Sequence, residues 1–319
     1  MRRLAVWFAA AVLGGCAQAA QAQQQSREDA WWTGPLLAPS AASLPSGHAL
    51  IEPYLFDVIT TGAFDAAGRH HDAPRDQELG SLTYLLYGLT DRVTLGLIPR
   101  FFYGLPASGP DSSGVQPGDL TLQAGYALTQ YHDGSALPAL AVVIDETLPT
   151  GRYDRLARAS DGVGAGAYAT GLSLYSQDYF WMPNGRILRG RLDLTYTFSS
   201  SVDVAGASVY GTPPGYSGRA YPGAVFTADA AAEYSVTRNW VFALDVVYQH
   251  SASTSLRGSV AGGAPLESGS GSGYSLQLAP ALEYNWSASG GVILGTRVIG
   301  IGRNITTTVT PAVAVNLVF

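Results

Sequence analysis

The sequence predicts an all-β fold, a transmembrane antiparallel up-and-down β-barrel of about twelve strands, on the basis of three observations. Segments with alternating apolar and polar residues recur along most of the chain. Charged residues make up 13% of the sequence, whereas soluble domains typically contain ~25%, and no apolar run after the N-terminus has the ~20 residues of a spanning helix. The connections between the segments alternate in length, as they do in barrels with short periplasmic turns and long outer loops.

The first residues have the features of an export signal. A basic pair at residues 2–3 precedes an apolar run, and the small residues Ala20 and Ala22 indicate cleavage that would make 1–22 a signal peptide. A lipoprotein-like sequence ending at Cys16 offers a second cleavage site, but a barrel needs no lipid anchor to stay in the membrane. Because Cys16 is the one cysteine of the sequence, we expect no disulfide in the mature protein.

Residues 23–47 show no strand alternation and are rich in Pro and Ser, with adjacent tryptophans at Trp31 and Trp32. This composition indicates an extended segment, which is either a periplasmic lead-in or a plug that enters the barrel. Residues 48–319 are then expected to form the barrel itself.

The expected barrel strands follow one another with turn residues between them. They span 48–61, 77–89, 92–104, 118–131, 137–149, 163–176, 186–199, 223–236, 239–252, 273–286, 290–301 and 305–319. An even number of strands places both chain ends in the periplasm, and the long connections then fall outside. Two connections fit less well, because 177–185 is long for an inner turn and 302–304 is short for an outer loop.

The alternation assigns one face of each strand to lipid and the other to the lumen. In 273–286, for example, Leu276 and Leu278 alternate with Gln277. The charged face must line the lumen, since an arginine on the lipid face at mid-bilayer costs ~2–4 kcal/mol. The first strand departs from this rule, because Glu52 and Asp57 have opposite parity, which indicates a bulge, a position at the rim or a different register.

The same parity predicts a set of charged residues that line the lumen or its constriction. They are Arg100, Asp145, Arg189, Arg191, Asp193, Asp229, Glu233, Asp245, Glu283 and Arg297. Arginines on one strand that face acids on the next would create a transverse field that sorts polar solutes. Alternatively, these side chains pair with one another and close a narrow barrel.

No sequence pattern points to a catalytic residue, a metal site or a cofactor. His70 and His71 are adjacent in an expected outer loop, but no third ligand lies at a useful spacing. A lipid hydrolase would place a serine two residues after His250 on the same strand face, and that position is Ala252. The net charge of -6 argues against a nucleic-acid partner.

Three stretches resemble a known family. They are WTGPLLAPSA at 32–41 with Gly47-His48 and IEPYLF at 51–56, LPTGRYD at 148–154, and the terminal aromatic Phe319. Together they resemble the outer-membrane barrels of the meta-pathway phenol-degradation family, which are regarded as transporters. The resemblance implies passage of small aromatic or hydrophobic compounds, recognition of Phe319 by the outer-membrane assembly machinery, and no catalytic residues.

The expected function is therefore an outer-membrane channel or uptake protein that passes small solutes by passive diffusion. The leading alternative is a structural or binding barrel with a blocked lumen that acts through its outer loops, such as residues 209–221. An outer-membrane lipid hydrolase is the third. The expected partners are outer-membrane lipid, the assembly machinery and the solute.

Overall fold

The computed structural model describes residues 24–134 and 136–319, and the expected signal peptide, 1–22, lies outside them. Strands dominate the described residues, in which helix is limited to two 3-10 turns, Arg27–Asp29 and Ala159–Asp161. No helix in this part of the chain is long and apolar enough to cross a membrane.

Twelve antiparallel strands form a closed barrel, which confirms the predicted fold class. They are β1 (Ala49–Phe64), β2 (Gln77–Thr90), β3 (Val93–Ile98 and Arg100–Leu105), β4 (Leu120–Thr129), β5 (Ala139–Leu148), β6 (Ala169–Trp181), β7 (Ile187–Ser199), β8 (Val225–Ser235), β9 (Trp240–Ser251), β10 (Gly273–Ser287), β11 (Gly290–Arg303) and β12 (Ile305–Val318). Each strand pairs with the next, and β1 pairs with β12 to close the sheet, with Leu55 opposite Val313. The break within β3 falls at Pro99, which has no N–H to donate to the ladder.

The outer surface of the barrel is apolar. On β10, Leu276, Leu278 and Leu282 are 37%, 49% and 45% exposed. Gln277 and Glu283, which have the opposite parity, are buried on the inner face. An apolar outer band suits contact with the hydrocarbon of a membrane. Closure of the sheet satisfies the backbone groups of its edges, which lipid cannot do. The protein is therefore an outer-membrane β-barrel.

The two acids of β1 that break the alternation lie on opposite faces. Glu52 lies on the inner face and accepts a hydrogen bond from Asn316 Nδ2 at 3.1 Å. Asp57 pairs with the exposed Leu79 across β2, and Gln77 Nε2 donates to Asp57 Oδ2 at 3.0 Å. Gln77 on β2 thus supplies one hydrogen bond to the acid on the outer face of β1. The shift of register between β1 and β12 comes later, at Thr60/Gly62.

The two connections that fitted poorly have simple explanations. β6 extends to Trp181 rather than ending at residue 176, so that the connection to β7 shrinks to residues 182–186, which close through Met182 N to Arg186 O at 2.8 Å. The connection between β11 and β12 is one residue, Asn304, whose φ of 48° lies in the left-handed region that asparagine tolerates.

The outer loops fold into a second sheet that the sequence did not predict. It contains four short strands, Val202–Ala205, Ser217–Tyr221, Ser255–Ser259 and Pro265–Gly269. The loop between β7 and β8 supplies the first two, and the loop between β9 and β10 supplies the others. Their buried side chains, with those of neighbouring loops, form a small apolar core that includes Val204, Tyr216, Ala220 and Leu256.

Candidate functional site

The centre of the candidate site is a buried ion pair on the inner face of neighbouring strands. Arg189 on β7 lies directly opposite Glu233 on β8. Arg189 donates through Nε to Glu233 Oε2 at 2.6 Å and through Nη2 to Oε1, which makes a bidentate pair. Arg191 Nε lies 3.2 Å from the same Oε2. One carboxylate therefore faces two guanidinium groups in the barrel interior.

Two further acids of the inner face bind the backbone of the N-terminal segment, by which we mean residues 24–47. Asp245 accepts hydrogen bonds from Leu36 N at 3.1 Å and from Ala38 N at 3.0 Å. Glu283 accepts from Thr33 N at 2.7 Å and from Gly34 N at 3.2 Å. The barrel wall thus supplies acceptors to backbone amides that no regular secondary structure satisfies.

The arginines of the ion-pair cluster contact the same segment. Arg191 Nη1 donates to Ala38 O at 2.7 Å, and the Arg189 guanidinium lies 4.5 Å from the centre of the Trp32 ring. The two arginines of the barrel wall thus supply a hydrogen-bond donor and a positive charge to the N-terminal segment, in addition to the acceptors described above. The charged side chains of β7 to β10 therefore hold residues 32–38 from several directions.

Apolar contacts fix the segment as well. Leu36 packs into an apolar cluster of the inner wall formed by Ala243, Ala279, Ala281, Ile293 and Ala314. Four of these five residues are alanines, which leave room for the leucine side chain against the strands. Further along, Ala41 packs against Ala139, Ala141, Val143 and Tyr175.

The N-terminal segment crosses the periplasmic side of the barrel from one wall to the other. Trp31 N donates to Arg238 O in the turn between β8 and β9, at 3.1 Å. Ser46 N donates to Asp91 Oδ1 in the turn between β2 and β3, at 3.0 Å. Around the ring of twelve strands these two turns are six strands apart, so the segment spans a diameter of the barrel.

The structure divides the ten charged residues proposed for the lumen into two groups, all on the inner face. Arg189, Arg191, Glu233, Asp245 and Glu283 are buried and contact the N-terminal segment or one another. No hydrogen bond or ion pair among the described residues joins the segment to the other five, which are Arg100, Asp145, Asp193, Asp229 and Arg297. Their role in a constriction stays a prediction.

Members of the second group have unsatisfied polar atoms. Both carboxylate oxygens of Asp193 and Oδ1 of Asp229 are buried without a hydrogen-bond partner among the described residues, and the two acids lie opposite each other on β7 and β8. Nε of Arg100 and Nε of Arg297 are also buried without a hydrogen-bond partner among the described residues. Asp145 accepts from Gln123 Nε2 at 2.9 Å.

A cavity of about 550 Å³, called the outer cavity below, lies between the outer ends of the strands and the loops above them. Its lining comprises Glu78, Arg100, Phe102, Asp119, Thr147, Gly162, Val163, Gly164, Ala165, Ala169, Val209 and Tyr210. The sequence parity identified Arg100 but none of the loop residues, because the alternation that marks strand faces ends where the loops begin.

Two aspartates fix the loop between β5 and β6, which contains the LPTGRYD stretch. Asp119 accepts from Gly151 N at 2.8 Å and from Ala165 N at 2.7 Å. Asp161 accepts from Ser113 N at 2.7 Å, and this hydrogen bond, together with the positive charge of Arg152, lowers the pKa of the Asp161 carboxyl. Sequence reasoning missed both residues, since a single acid in a loop carries no pattern.

Phe319 lies at the seam of the barrel. Its amide donates to Ala49 O at 2.9 Å, Ala49 N donates back to Phe319 O at 3.2 Å, and its side chain is 67% exposed. Recognition of this residue by assembly machinery stays a prediction.

The family model described as "Putative MetA-pathway of phenol degradation" matches residues 60–312. The chain belongs to this family. No curated protein sequence matches the chain.

Three solved structures resemble this chain, and the first of them supports the fold. The COG4313 outer membrane channel from Pseudomonas putida F1 is 17% identical with a TM-score of 0.66, over 89% of this chain and 100% of that chain. The β domain of the Bordetella autotransporter BrkA is 12% identical with a TM-score of 0.46, over 86% and 100% of the two chains. The toluene transporter TbuX from Ralstonia pickettii is 10% identical with a TM-score of 0.38, over 93% and 96%.

Proposed function

We propose that this protein is an outer-membrane uptake channel for small hydrophobic or aromatic compounds, which cross by diffusion through the barrel lumen. The observation that carries the proposal is a set of buried polar atoms on the inner face that have no hydrogen-bond partner among the described residues, including atoms of Asp193, Asp229 and Arg297. A dry, filled interior would leave each such group unsatisfied at a cost of about 1–3 kcal/mol or more. We infer that water solvates them, so that the lumen above the N-terminal segment holds an aqueous path.

Membership of the phenol-degradation family and the likeness to a protein named an outer membrane channel both support transport. The family description points to phenol and related aromatic compounds as the solutes. The lumen residues described above serve to admit and orient solute in this proposal, and none is assigned a catalytic role.

The N-terminal segment acts as a plug in this proposal. It spans a diameter of the barrel on the periplasmic side, where a solute that enters from outside would leave. Charged side chains, Asp245 and Glu283 among them, and the apolar contacts of Leu36 hold it on the wall, so that displacement of residues 33–38 from these contacts would open a route. The plug therefore sets the conductance of the resting channel.

A blocked barrel that acts through its outer loops is the second candidate. The spanning segment favours it, as does the four-stranded sheet in the loops, which provides a folded surface outside the membrane. The two candidates differ in whether solute passes through the lumen, so that a measurement of passage separates them.

Single-channel recording of the purified protein in planar bilayers, with uptake of radiolabelled phenol by cells that produce it, tests the proposal. We expect a small conductance above that of bare membrane, and a larger one in Asp245→Asn. Each carboxylate oxygen of Asp245 accepts one hydrogen bond, from Leu36 N or Ala38 N, and the NH2 group of asparagine cannot accept the second of them. Asp203→Asn is the matched control, since Asp203 lies in the outer-loop sheet and pairs with Arg219. Absence of conductance and of phenol uptake in both the native protein and Asp245→Asn would favour the blocked barrel.

A further inference from the structure

The outer cavity combines an apolar, aromatic lining with an arginine that forms no ion pair within 4.0 Å among the described residues. Phe102 lies two residues after Arg100 on β3, so both side chains share the inner face of the strand. Phe102 also makes an edge contact with Phe56, with 6.3 Å between ring centres, which fixes its position. The outer cavity thus has an aromatic ring directly beside a guanidinium group.

Arg100 supplies the positive charge of the outer cavity. In the described chain it makes no side-chain hydrogen bond and no ion pair within 4.0 Å, and its Nε is buried. Glu78, the acid on the neighbouring strand, lies four residues from Leu82, the residue opposite Arg100, which corresponds to roughly 13 Å along β2. Two other acids lie nearby. Asp119 already accepts two backbone hydrogen bonds, and Asp145, which interacts electrostatically with Arg100 without forming an ion pair within 4.0 Å in the described chain, accepts from Gln123 Nε2.

The loop residues close the outer cavity with apolar side chains. Val209 and Tyr210 come from the loop between β7 and β8, and Val163 comes from the loop between β5 and β6. Tyr210 donates its hydroxyl to Ala165 O at 2.5 Å, so its ring is held in place. A flat apolar group that entered the outer cavity would contact these residues and Phe102.

We propose that the outer cavity binds small aromatic monocarboxylates, with the carboxylate on Arg100 and the ring among Phe102, Val209 and Tyr210. The proposal rests on the channel function and names a class of solute for it. A guanidinium group donates two parallel hydrogen bonds to a carboxylate, which a neutral aromatic compound cannot accept in the same way. The volume of about 550 Å³ falls within the range of ~300–1,000 Å³ that small-molecule sites occupy.

Glu78 adds a limit on the solute. Its side chain lines the same cavity without a hydrogen bond or ion pair in the described chain, so that it places a negative charge on the wall beyond the ring. A second carboxylate on the ligand would meet this charge, and like charges repel each other. The outer cavity therefore favours benzoate over benzene dicarboxylates such as terephthalate.

Calorimetric titration of the full-length purified protein with benzoate, benzyl alcohol and terephthalate tests this site. We expect saturable binding of benzoate that is tighter than that of the other two compounds. In Arg100→Gln, we expect the affinity for benzoate to fall about ten- to hundredfold and the affinity for benzyl alcohol to stay unchanged. Arg257→Gln is the control, because Arg257 lies in the outer-loop sheet and does not line the outer cavity.

The heat-dependent electrophoretic shift of folded barrels shows whether each variant has assembled. Equal benzoate affinity in the native protein and in assembled Arg100→Gln would overturn the site, as would a lack of saturable benzoate binding. Uptake of radiolabelled benzoate by cells separates the two proposals. Arg100-dependent binding without uptake supports the site and overturns the channel, whereas solute uptake with Arg100-independent binding overturns the site and leaves the channel.

Discussion

Glu233 on β8 accepts two hydrogen bonds from Arg189, the residue directly opposite it on β7, and both side chains are buried in the barrel. A buried ion pair owes little net stability to its mutual attraction, because desolvation of both charges opposes it. Here the same arginine also lies over Trp32 of the N-terminal segment. The pair therefore explains the position of the Arg189 guanidinium against Trp32 better than it explains stability.

Glu233→Gln should destabilise the barrel more than most single substitutions. It leaves Arg189 buried with a neutral partner, and removal of one member of a buried pair typically costs about 3–5 kcal/mol. Replacement of both residues, Arg189→Met with Glu233→Gln, should recover part of that loss. Unfolding in urea measures these effects, with Asp193→Asn as the control, because Asp193 has no ion-pair partner in the described chain. Equal losses in Glu233→Gln and Asp193→Asn would contradict the prediction.

Leu36→Ala should loosen the N-terminal segment while leaving the barrel intact. Leu36 fills a space between alanines of the inner wall, and leucine-to-alanine changes at buried sites cost about 2–5 kcal/mol. The amides of Thr33 and Ala38 should then exchange with solvent at least tenfold faster, which hydrogen exchange detected by mass spectrometry measures. Leu44→Ala, a change in the same segment but outside this cluster, serves as the control. Unchanged exchange in Leu36→Ala would mean that the charged contacts alone hold the segment.

Much of the barrel could be predicted from the sequence, because lipid imposes a simple rule on each strand. On β10, where Leu278 faces lipid and Gln277 faces the lumen, the alternation is complete and the prediction of faces was correct. Asp57 could not be interpreted in the same way. Its carboxylate accepts a hydrogen bond from Gln77 on the neighbouring strand. Such a contact depends on the register between strands, which the alternation along one strand does not give.

The site was less predictable than the fold. Parity selected Glu233, Asp245 and Glu283 as residues of the inner face, yet it gave no indication that Asp245 and Glu283 bind backbone amides of residues 33–38. Those contacts join parts of the chain more than 200 residues apart and involve main-chain donors that every residue carries. The outer-loop sheet was missed for a related reason, since its four short strands carry too few residues to establish a period.

Acidification should release the loop between β5 and β6. Since the pKa of Asp161 is lowered in the folded protein, its carboxylate contributes stability that is fully present above its ordinary pKa of 3.8 and is lost as the pH falls through the lower folded value. The amide of Ser113, which donates to Asp161, should therefore lose protection only below about pH 4. Hydrogen exchange at several pH values measures it. In Asp161→Asn the same amide should be less protected at neutral pH and show no step on acidification; a step that persisted would exclude Asp161 as its cause.

Asn304 should tolerate glycine better than a branched residue, because it forms the entire connection between β11 and β12 at a φ of 48°. A β-branched side chain in the left-handed region costs roughly 1–2 kcal/mol or more, whereas glycine adopts it freely. Asn304→Gly should lose mainly the hydrogen bond from Nδ2 to Ser272 O, which is 2.8 Å long. Asn304→Val loses that bond and adds strain, so its urea midpoint should lie below that of Asn304→Gly. The reverse order would show that the side-chain hydrogen bond, and not the backbone conformation, determines the residue at this position.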